Sequence, residues 1–284
     1  MIAVANADTR PSWCPGCGNY SILKVLQEVL ATGAVDTGKL VLVSGIGQAA
    51  KLPHYVPVSV FNGLHGRALP AATGIKIANH ELEVAIFSGD GDMYGEGGNH
   101  FLHSLRRNIG IKVFVHNNQV YGLTKGQASP TSDLGFVTPI QVHGQKLQPI
   151  NPLAIAIIEE CSFVARSFSG EPEHLKETML AAFAHRGGMA LVDILQPCVS
   201  FNRVNTFKWY KDRVKPIPAD HDCRDKMKAL ELALRWGDEI PIGIFYRGAR
   251  KSYEADNEVL AKGTLVANDE RQPLREKPEG SAEQ

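Results

Sequence analysis

The chain has 284 residues, 44 % hydrophobic and 21 % charged, enough apolar material for one large domain or two small ones. Lys+Arg and Asp+Glu balance at 30 each, so the charge does not point to nucleic acid or a membrane surface. No apolar run approaches the roughly 18 residues of a span, Met1-Ile2-Ala3-Val4-Ala5 lacks the marks of an export signal, and an odd count of five cysteines argues against a disulfide framework; the expectation is a cytoplasmic protein.

Along the chain, Trp13-Cys14-Pro15-Gly16-Cys17-Gly18 forms a tight turn that can aim both thiols at one point. Ile22, Leu23, Val25, Leu26, Val29 and Leu30 then recur at helical spacing, with Gly33 near the stop. Leu40–Val43 is a strand running into the turn Gly45-Ile46-Gly47, and Val58–Phe61 is another, ending at Asn62-Gly63. Val84–Phe87 leads into Gly89-Asp90-Gly91-Asp92, a helix opened by glycines is predicted over Gly95–Arg107, and Ile111–Val115 leads into Asn117-Asn118. The polar stretch from Gly122 to Thr138 is a loop long enough to be functional or disordered. Helices around Pro152–Glu160 and His174–Arg186 alternate with strands Phe163–Ser167 and Ala190–Leu195. The alternation predicts an α/β fold, a mostly parallel sheet flanked by helices on both faces, over residues 1–250. From about Lys251 to Gln284 the composition turns polar, and an extended or disordered tail is expected.

The two continuous apolar runs before Asp90 and Asn118 read as buried parallel strands. If they are neighbours, the carboxylate and the amide oxygen meet at the carboxyl edge of one sheet, where open α/β sheets bind ligands. Both are hard oxygen donors suited to Mg²⁺ carrying a diphosphate, and the glycines let backbone N–H groups approach phosphate. Cys14-x-x-Cys17 admits three readings: a zinc knuckle, which wants a second close pair of ligands; a redox dithiol, which usually follows a strand; or part of an iron–sulfur cluster completed from a distant segment. Cys198, just past a predicted strand, lies near the same sheet edge, whereas Cys161 reads as a core thiol. His100 and His103 share a helix face but gain no carboxylate or thiol, and are read as structural.

Gly-Asp-Gly followed by Asn-Asn resembles the diphosphate motif of thiamine diphosphate enzymes. The larger set of ordered motifs resembles the β subunit of 2-oxoacid:ferredoxin oxidoreductases, most closely those acting on 2-oxoglutarate. The segments that carry it are Trp-Cys-Pro-Gly-Cys-Gly at 13–18, Ser-Gly-Ile-Gly at 44–47, His-Gly-Arg-Ala-Leu-Pro at 65–70, Gly-Asp-Gly-Asp at 89–92, Gly-Gly-Asn-His at 97–100, Tyr-Gly-Leu-Thr-Lys-Gly-Gln at 121–127, Gln-Pro-Cys at 196–198 and Trp-Tyr at 209–210.

The resemblance implies Mg²⁺ on Asp90, Asn118 and the carbonyl of Val120. It implies a thiamine diphosphate pocket of Ile46, Gly47, His65, Gly66, Arg67, Gly91, Asp92, Gly122 and Leu123, with Leu123 propping the bent cofactor. Cys14, Cys17 and Cys198 would ligate one [4Fe–4S] cluster. The family pattern has cysteine where this chain has Gln48, a poor substitute for thiolate on iron, so the fourth ligand is open. Lys51 and Lys125 follow the two turns and are the expected partners of substrate carboxylates. The implied reaction is coenzyme A-dependent oxidative decarboxylation of 2-oxoglutarate to succinyl-CoA and CO₂ with reduction of ferredoxin, reversible towards CO₂ fixation. No second thiamine domain fits in this length, so an obligate α subunit is expected to bring the activating glutamate and the coenzyme A contacts in an (αβ)₂ assembly. The rival readings are a pyruvate or broad 2-oxoacid substrate, a non-redox thiamine diphosphate lyase subunit, and an iron–sulfur electron-transfer module whose Gly-Asp-Gly is only a turn.

Overall fold

The computed structural model describes residues 10–267. Its framework is an eight-stranded sheet built from β1 (Leu40–Ser44), β2 (Ser59–Asn62), β3 (Glu83–Gly89), β4 (Lys112–Asn117), β7 (Phe163–Phe168), β8 (Ala190–Leu195), β9 (Val214–Pro216) and β10 (Ile240–Tyr246), in the order β2-β1-β3-β4-β8-β7-β10-β9. Every pairing is parallel except that of β10 with β7. The ribbon β5 (Val120–Tyr121) with β6 (Gln127–Ala128) stands apart from it.

The period-two alternation of the strands sorts their side chains onto two cores. Val84, Ile86, Val113 and Val115 face one core, closed by α2 (Ala68–Ala78), α3 (Gly98–Arg107), α4 (Pro152–Ile158) and α7 (Lys226–Ala233). Ala85, Phe87, Phe114 and Val192 face the other, closed by α1 (Gly18–Ala31) and α5 (Pro172–Ala184). α1 buries the expected stripe of Ile22, Leu23, Val25, Leu26 and Val29 and stops at Gly33, whose φ of +74° favours a glycine. α4 opens on Asn151, whose side chain accepts from the Ala154 N–H.

Several elements carry little sequence signal. α2 contains Pro70, Thr73 and Gly74, all poor helix formers, and is held by packing Ala68, Leu69 and Ala72 on the sheet. The glycines at 95, 97 and 98 do not simply open a helix. A π-helical turn spans Gly91–Glu96 first, and α3 begins at Gly98. The expected polar tail is corrected over 251–267. Helix α8 (Tyr253–Asp256) docks through Tyr253 N to Asn108 O (3.2 Å) and Gly110 N to Glu254 Oε2 (3.1 Å), and Val266 N donates to Ala78 O (3.2 Å). Burial of Leu260 adds an apolar anchor to these backbone bonds. The rest of that expectation, 268–284, lies outside the described residues.

Candidate functional site

β1, β3, β4 and β8 are consecutive neighbours and run parallel, so their carboxyl ends lie on one edge. The turns leaving them are Gly45–Gln48, Asp90–Asp92, Asn118–Leu123 and Gln196–Cys198. Motifs far apart in sequence therefore converge because the strand order brings their exits together.

One cleft is lined by Ile46, Gly47, His65, Asp90, Gly91, Asp92, Asn118, Val120 and Leu123, together with Gln48, Tyr121 and Thr124. Asp90 is 1 % exposed and its Oδ2 accepts from Ser129 Oγ (2.5 Å) and Thr131 Oγ1 (2.6 Å). Burial pushes its carboxyl up to about 6, against the pull of those two hydroxyls. Burial alone thus disfavours its charged form, which a neighbouring cation would restore. Asn118 Oδ1 accepts the Val120 N–H (3.0 Å), which folds the chain back so that Val120 also lines the cleft.

Asp92 has a different job from Asp90. Its Oδ1 accepts the N–H groups of Ile46 (3.0 Å) and Gly66 (2.8 Å), Ser88 donates to its Oδ2, and His65 Nε2 stands 3.5 Å away. It therefore ties the turn after β1 to the 65–67 turn. Gly45 is required here because a Cβ on it would lie 2.0 Å from Asp92 Oδ2. At Gly91 the constraint is the Tyr121 ring, 2.3 Å from where a Cβ would sit, whereas Gly47 and Gly122 face open space that a ligand can approach. His65 is also 3.5 Å from Glu96, whose carboxylate accepts the Tyr121 hydroxyl (3.1 Å).

A second pocket adjoins the first. Cys14, Cys17 and Cys198 line it, with Gly122 and Gln196, and Gln48 and Asn118 line both pockets and form their shared wall. Burial, and then the other two thiols, push Cys17 up to about 11, while the Asn19 backbone N–H and Gln196 oppose this. Gln196 Nε2 donates to Cys17 Sγ at 3.4 Å and its Oε1 accepts from Asn118 Nδ2 at 3.3 Å, linking the two sites. Among the described residues, no three His, Cys, Asp or Glu side chains gather tightly enough for one metal ion. The donor spacing thus does not suit a zinc knuckle.

The other expected residues stand elsewhere. Arg67 is exposed and outside the cleft, because its Nη1 engages His100 Nε2 at 2.5 Å; Gly66 is buried under Glu96 and acts through its N–H on Asp92. Lys51 lines neither pocket and donates to Ser12 Oγ (3.3 Å) at the margin of the cysteine pocket. Lys125 is exposed one residue beyond cleft-lining Thr124, with φ of +81°. Sequence reasoning missed Ser129 and Thr131, the hydroxyls that hold Asp90. Their only signal was the length and Ser/Thr content of the 122–138 loop.

Residues 36–194 match the family described as thiamine pyrophosphate enzyme, C-terminal TPP binding domain, and residues 198–262 match the C-terminal family of the pyruvate ferredoxin oxidoreductase beta subunit. The chain is 46 % identical to a 2-oxoacid:ferredoxin oxidoreductase subunit beta of Saccharolobus solfataricus, over 83 % of this chain and 81 % of that protein. It is 43 % identical to the 2-oxoglutarate oxidoreductase subunit KorB of Mycobacterium tuberculosis, over 69 % of this chain and 52 % of the relative. Its fold is similar to a solved 2-oxoglutarate:ferredoxin oxidoreductase from Magnetococcus marinus, which has 2-oxoglutarate, coenzyme A and succinyl-CoA bound, with a TM-score of 0.85 and 36 % identity over 90 % of this chain and 86 % of that one.

Proposed function

The chain belongs to the family of 2-oxoacid:ferredoxin oxidoreductase β subunits, and on that premise we propose that, with its α subunit, it decarboxylates 2-oxoglutarate oxidatively to succinyl-CoA and CO₂ while reducing ferredoxin. The observation that carries this reading is the shared wall of Gln48 and Asn118 between an oxygen-lined cleft and a three-thiol pocket. A non-redox lyase has no use for the second pocket, and a bare electron-transfer module is at odds with the thiamine domain match over 36–194.

The cleft fits thiamine diphosphate and Mg²⁺. Asp90, Asn118 Oδ1 and the Val120 carbonyl would hold the cation, and Asp90 is the buried carboxylate that a divalent ion would keep ionised. Gly47 and Gly122 leave room for a diphosphate. Thiamine diphosphate, when bound, supplies the electron sink for loss of CO₂ from a 2-oxoacid. Leu123, 43 % exposed at the cleft, would set the cofactor's bend. Asp92 and His65 would keep the two turns closed around it. The three thiols, from two separate segments, line one pocket and would hold an iron–sulfur group there.

Exposed Val60, Phe61 and Leu64, on and after edge strand β2, give an α subunit apolar surface to cover. That subunit would bring the activating glutamate and the coenzyme A contacts, in an (αβ)₂ assembly. Lys125 and Lys51 would meet substrate carboxylates once the interface narrows the mouth, two cations suiting a dicarboxylate. The test is anaerobic purification with the α subunit, followed by iron, sulfide and thiamine diphosphate analysis and by ferredoxin reduction with 2-oxoglutarate and with pyruvate. About four irons, one thiamine diphosphate and a preference for 2-oxoglutarate are expected; thiamine diphosphate without iron would overturn the redox assignment.

A further inference from the structure

The Gln48 side chain stands between the two pockets. Its Oε1 is buried and, among the described residues, accepts no hydrogen bond. It does not cap the 3₁₀ turn Ala49–Tyr55 that follows it, and the contact holding this residue in place is made by its main chain, whose carbonyl accepts from Trp13 Nε1 at 2.8 Å. Buried acceptors in native proteins are almost always paired.

The surroundings single it out further. Of the amide oxygens lining the cysteine pocket, that of Asn19 lies 2.7 Å from His116 Nδ1, that of Asn118 accepts from Val120 N, and that of Gln196 accepts from Asn118 Nδ2. Gln48 alone offers an uncommitted oxygen. No Lys, Arg or His lines the pocket to donate to that oxygen. Three sulfurs and one unpaired oxygen on residues lining one pocket, with no cationic side chain among that lining, are donors suited to a cationic group.

We propose that the Gln48 side-chain oxygen is the fourth protein ligand of an iron–sulfur cluster whose other three ligands are Cys14, Cys17 and Cys198. This rests on the cluster reading of the pocket given above. A neutral, hard oxygen binds iron less firmly than a thiolate and brings no negative charge. One corner of the cluster is therefore labile, and the potential is less negative than with four thiolates, since net charge is among the factors that set it. On oxidation, [4Fe–4S]²⁺ gives [3Fe–4S]⁺, releasing one Fe²⁺ and one electron, with ferricyanide as the acceptor.

The experiment compares the anaerobic αβ complex carrying wild-type chain, Gln48→Cys and Gln48→Ala, using iron and sulfide analysis, Mössbauer and EPR spectroscopy and redox titration. Co-purification with the α subunit and far-UV circular dichroism report folding. In the wild type, one iron of the cluster should be spectroscopically distinct and be lost to stoichiometric ferricyanide with appearance of the three-iron EPR signal. Gln48→Cys should keep all its iron under that treatment and titrate at a more negative potential, and Gln48→Ala should lose its fourth iron to ferricyanide faster than the wild type. A Gln48→Ala complex matching the wild type in iron content, Mössbauer spectrum and ferricyanide resistance would overturn the proposal while leaving the cluster reading intact. Absence of iron from the wild type after reconstitution would overturn both.

Discussion

Thr131 Oγ1 donates to Asp90 Oδ2 at 2.6 Å, and the same hydroxyl stands 2.9 Å from Asn117 Oδ1. A hydroxyl has one proton to give, and a carboxylate is a stronger acceptor than an amide oxygen. The long loop after β4 is thus pinned to the turn after β3 through the residue proposed to hold Mg²⁺.

Asp90→Asn should weaken Mg²⁺-dependent binding of thiamine diphosphate to the apo-αβ complex by at least about 100-fold, roughly 2.7 kcal/mol. The amide keeps shape and packing but loses the charge. Titration of the cofactor by calorimetry measures it, and an unchanged affinity would remove Asp90 from the cation site.

Gly45→Ala and Gly122→Ala should separate scaffold from cofactor contact. A Cβ at Gly45 drives into the Asp92 carboxylate and breaks its bonds to Ile46 and Gly66, costing about 1–3 kcal/mol in thermal or denaturant unfolding. At Gly122 the Cβ meets nothing, so stability should stay within about 0.5 kcal/mol while cofactor affinity drops. Equal stability losses would contradict the assignment.

Arg166 and Asp193 form a buried pair, Nε to Oδ2 at 3.6 Å, with Arg166 3 % exposed. The spacing is that of an ion pair without an aligned hydrogen bond, and Arg166 Nε and Nη1 have no hydrogen-bond acceptor among the described residues. Asp193 also accepts from Tyr94 (3.0 Å) and Asn117 (3.2 Å). Asp193→Ala should cost about 3–5 kcal/mol, because it strands a buried guanidinium. Urea denaturation of the isolated variant and wild type reads this directly.

His185 makes stability fall in mild acid. Burial, then the nearby Lys112 and Arg247, hold its ring well below its usual value, down to about 4. The unfolded chain takes up the proton near pH 6.5 and the folded one only near 4, so between those values the unfolded state binds more protons. The contribution is therefore whole above about pH 6.5 and lost as pH drops through about 4. Melting temperatures across that window should fall more steeply for the wild type than for His185→Gln, and parallel curves would show that His185 is not responsible.

Lys125→Met should raise KM for 2-oxoglutarate by about 10–100-fold, the worth of one charge-assisted hydrogen bond, and affect pyruvate less. Lys51→Met provides the comparison, since Lys51 already donates to Ser12 beside the cysteine pocket. Steady-state ferredoxin reduction with both substrates decides which lysine, if either, meets the distal carboxylate.

Much of the site was legible because its chemistry sits in short local patterns. Apolar runs ending in Gly89–Asp92 and Asn117-Asn118 announce buried parallel strands with polar exits, and Cys14-x-x-Cys17 announces paired thiols. The illegible parts were those in which a side chain is claimed by a distant one. Arg67 looks like a pocket residue until His100 takes it, and the polar segment after Lys251 looks unanchored until Asn108, Gly110 and Ala78 bond to it.

Sequence alone determined the α/β class and the strand-and-turn origin of Asp90 and Asn118, since periodicity and turn chemistry depend on neighbours a few residues apart, and its ordered motifs carried the resemblance to the family. Only the tertiary structure decided that β3 lies between β1 and β4, that Asp92 ties two turns together while Asp90 is buried against Ser129 and Thr131, and that Gln48 divides two pockets with an oxygen unpaired among the described residues. Strand order and hydrogen-bond partners at long range are set by how the whole core closes, which no local stretch of residues encodes.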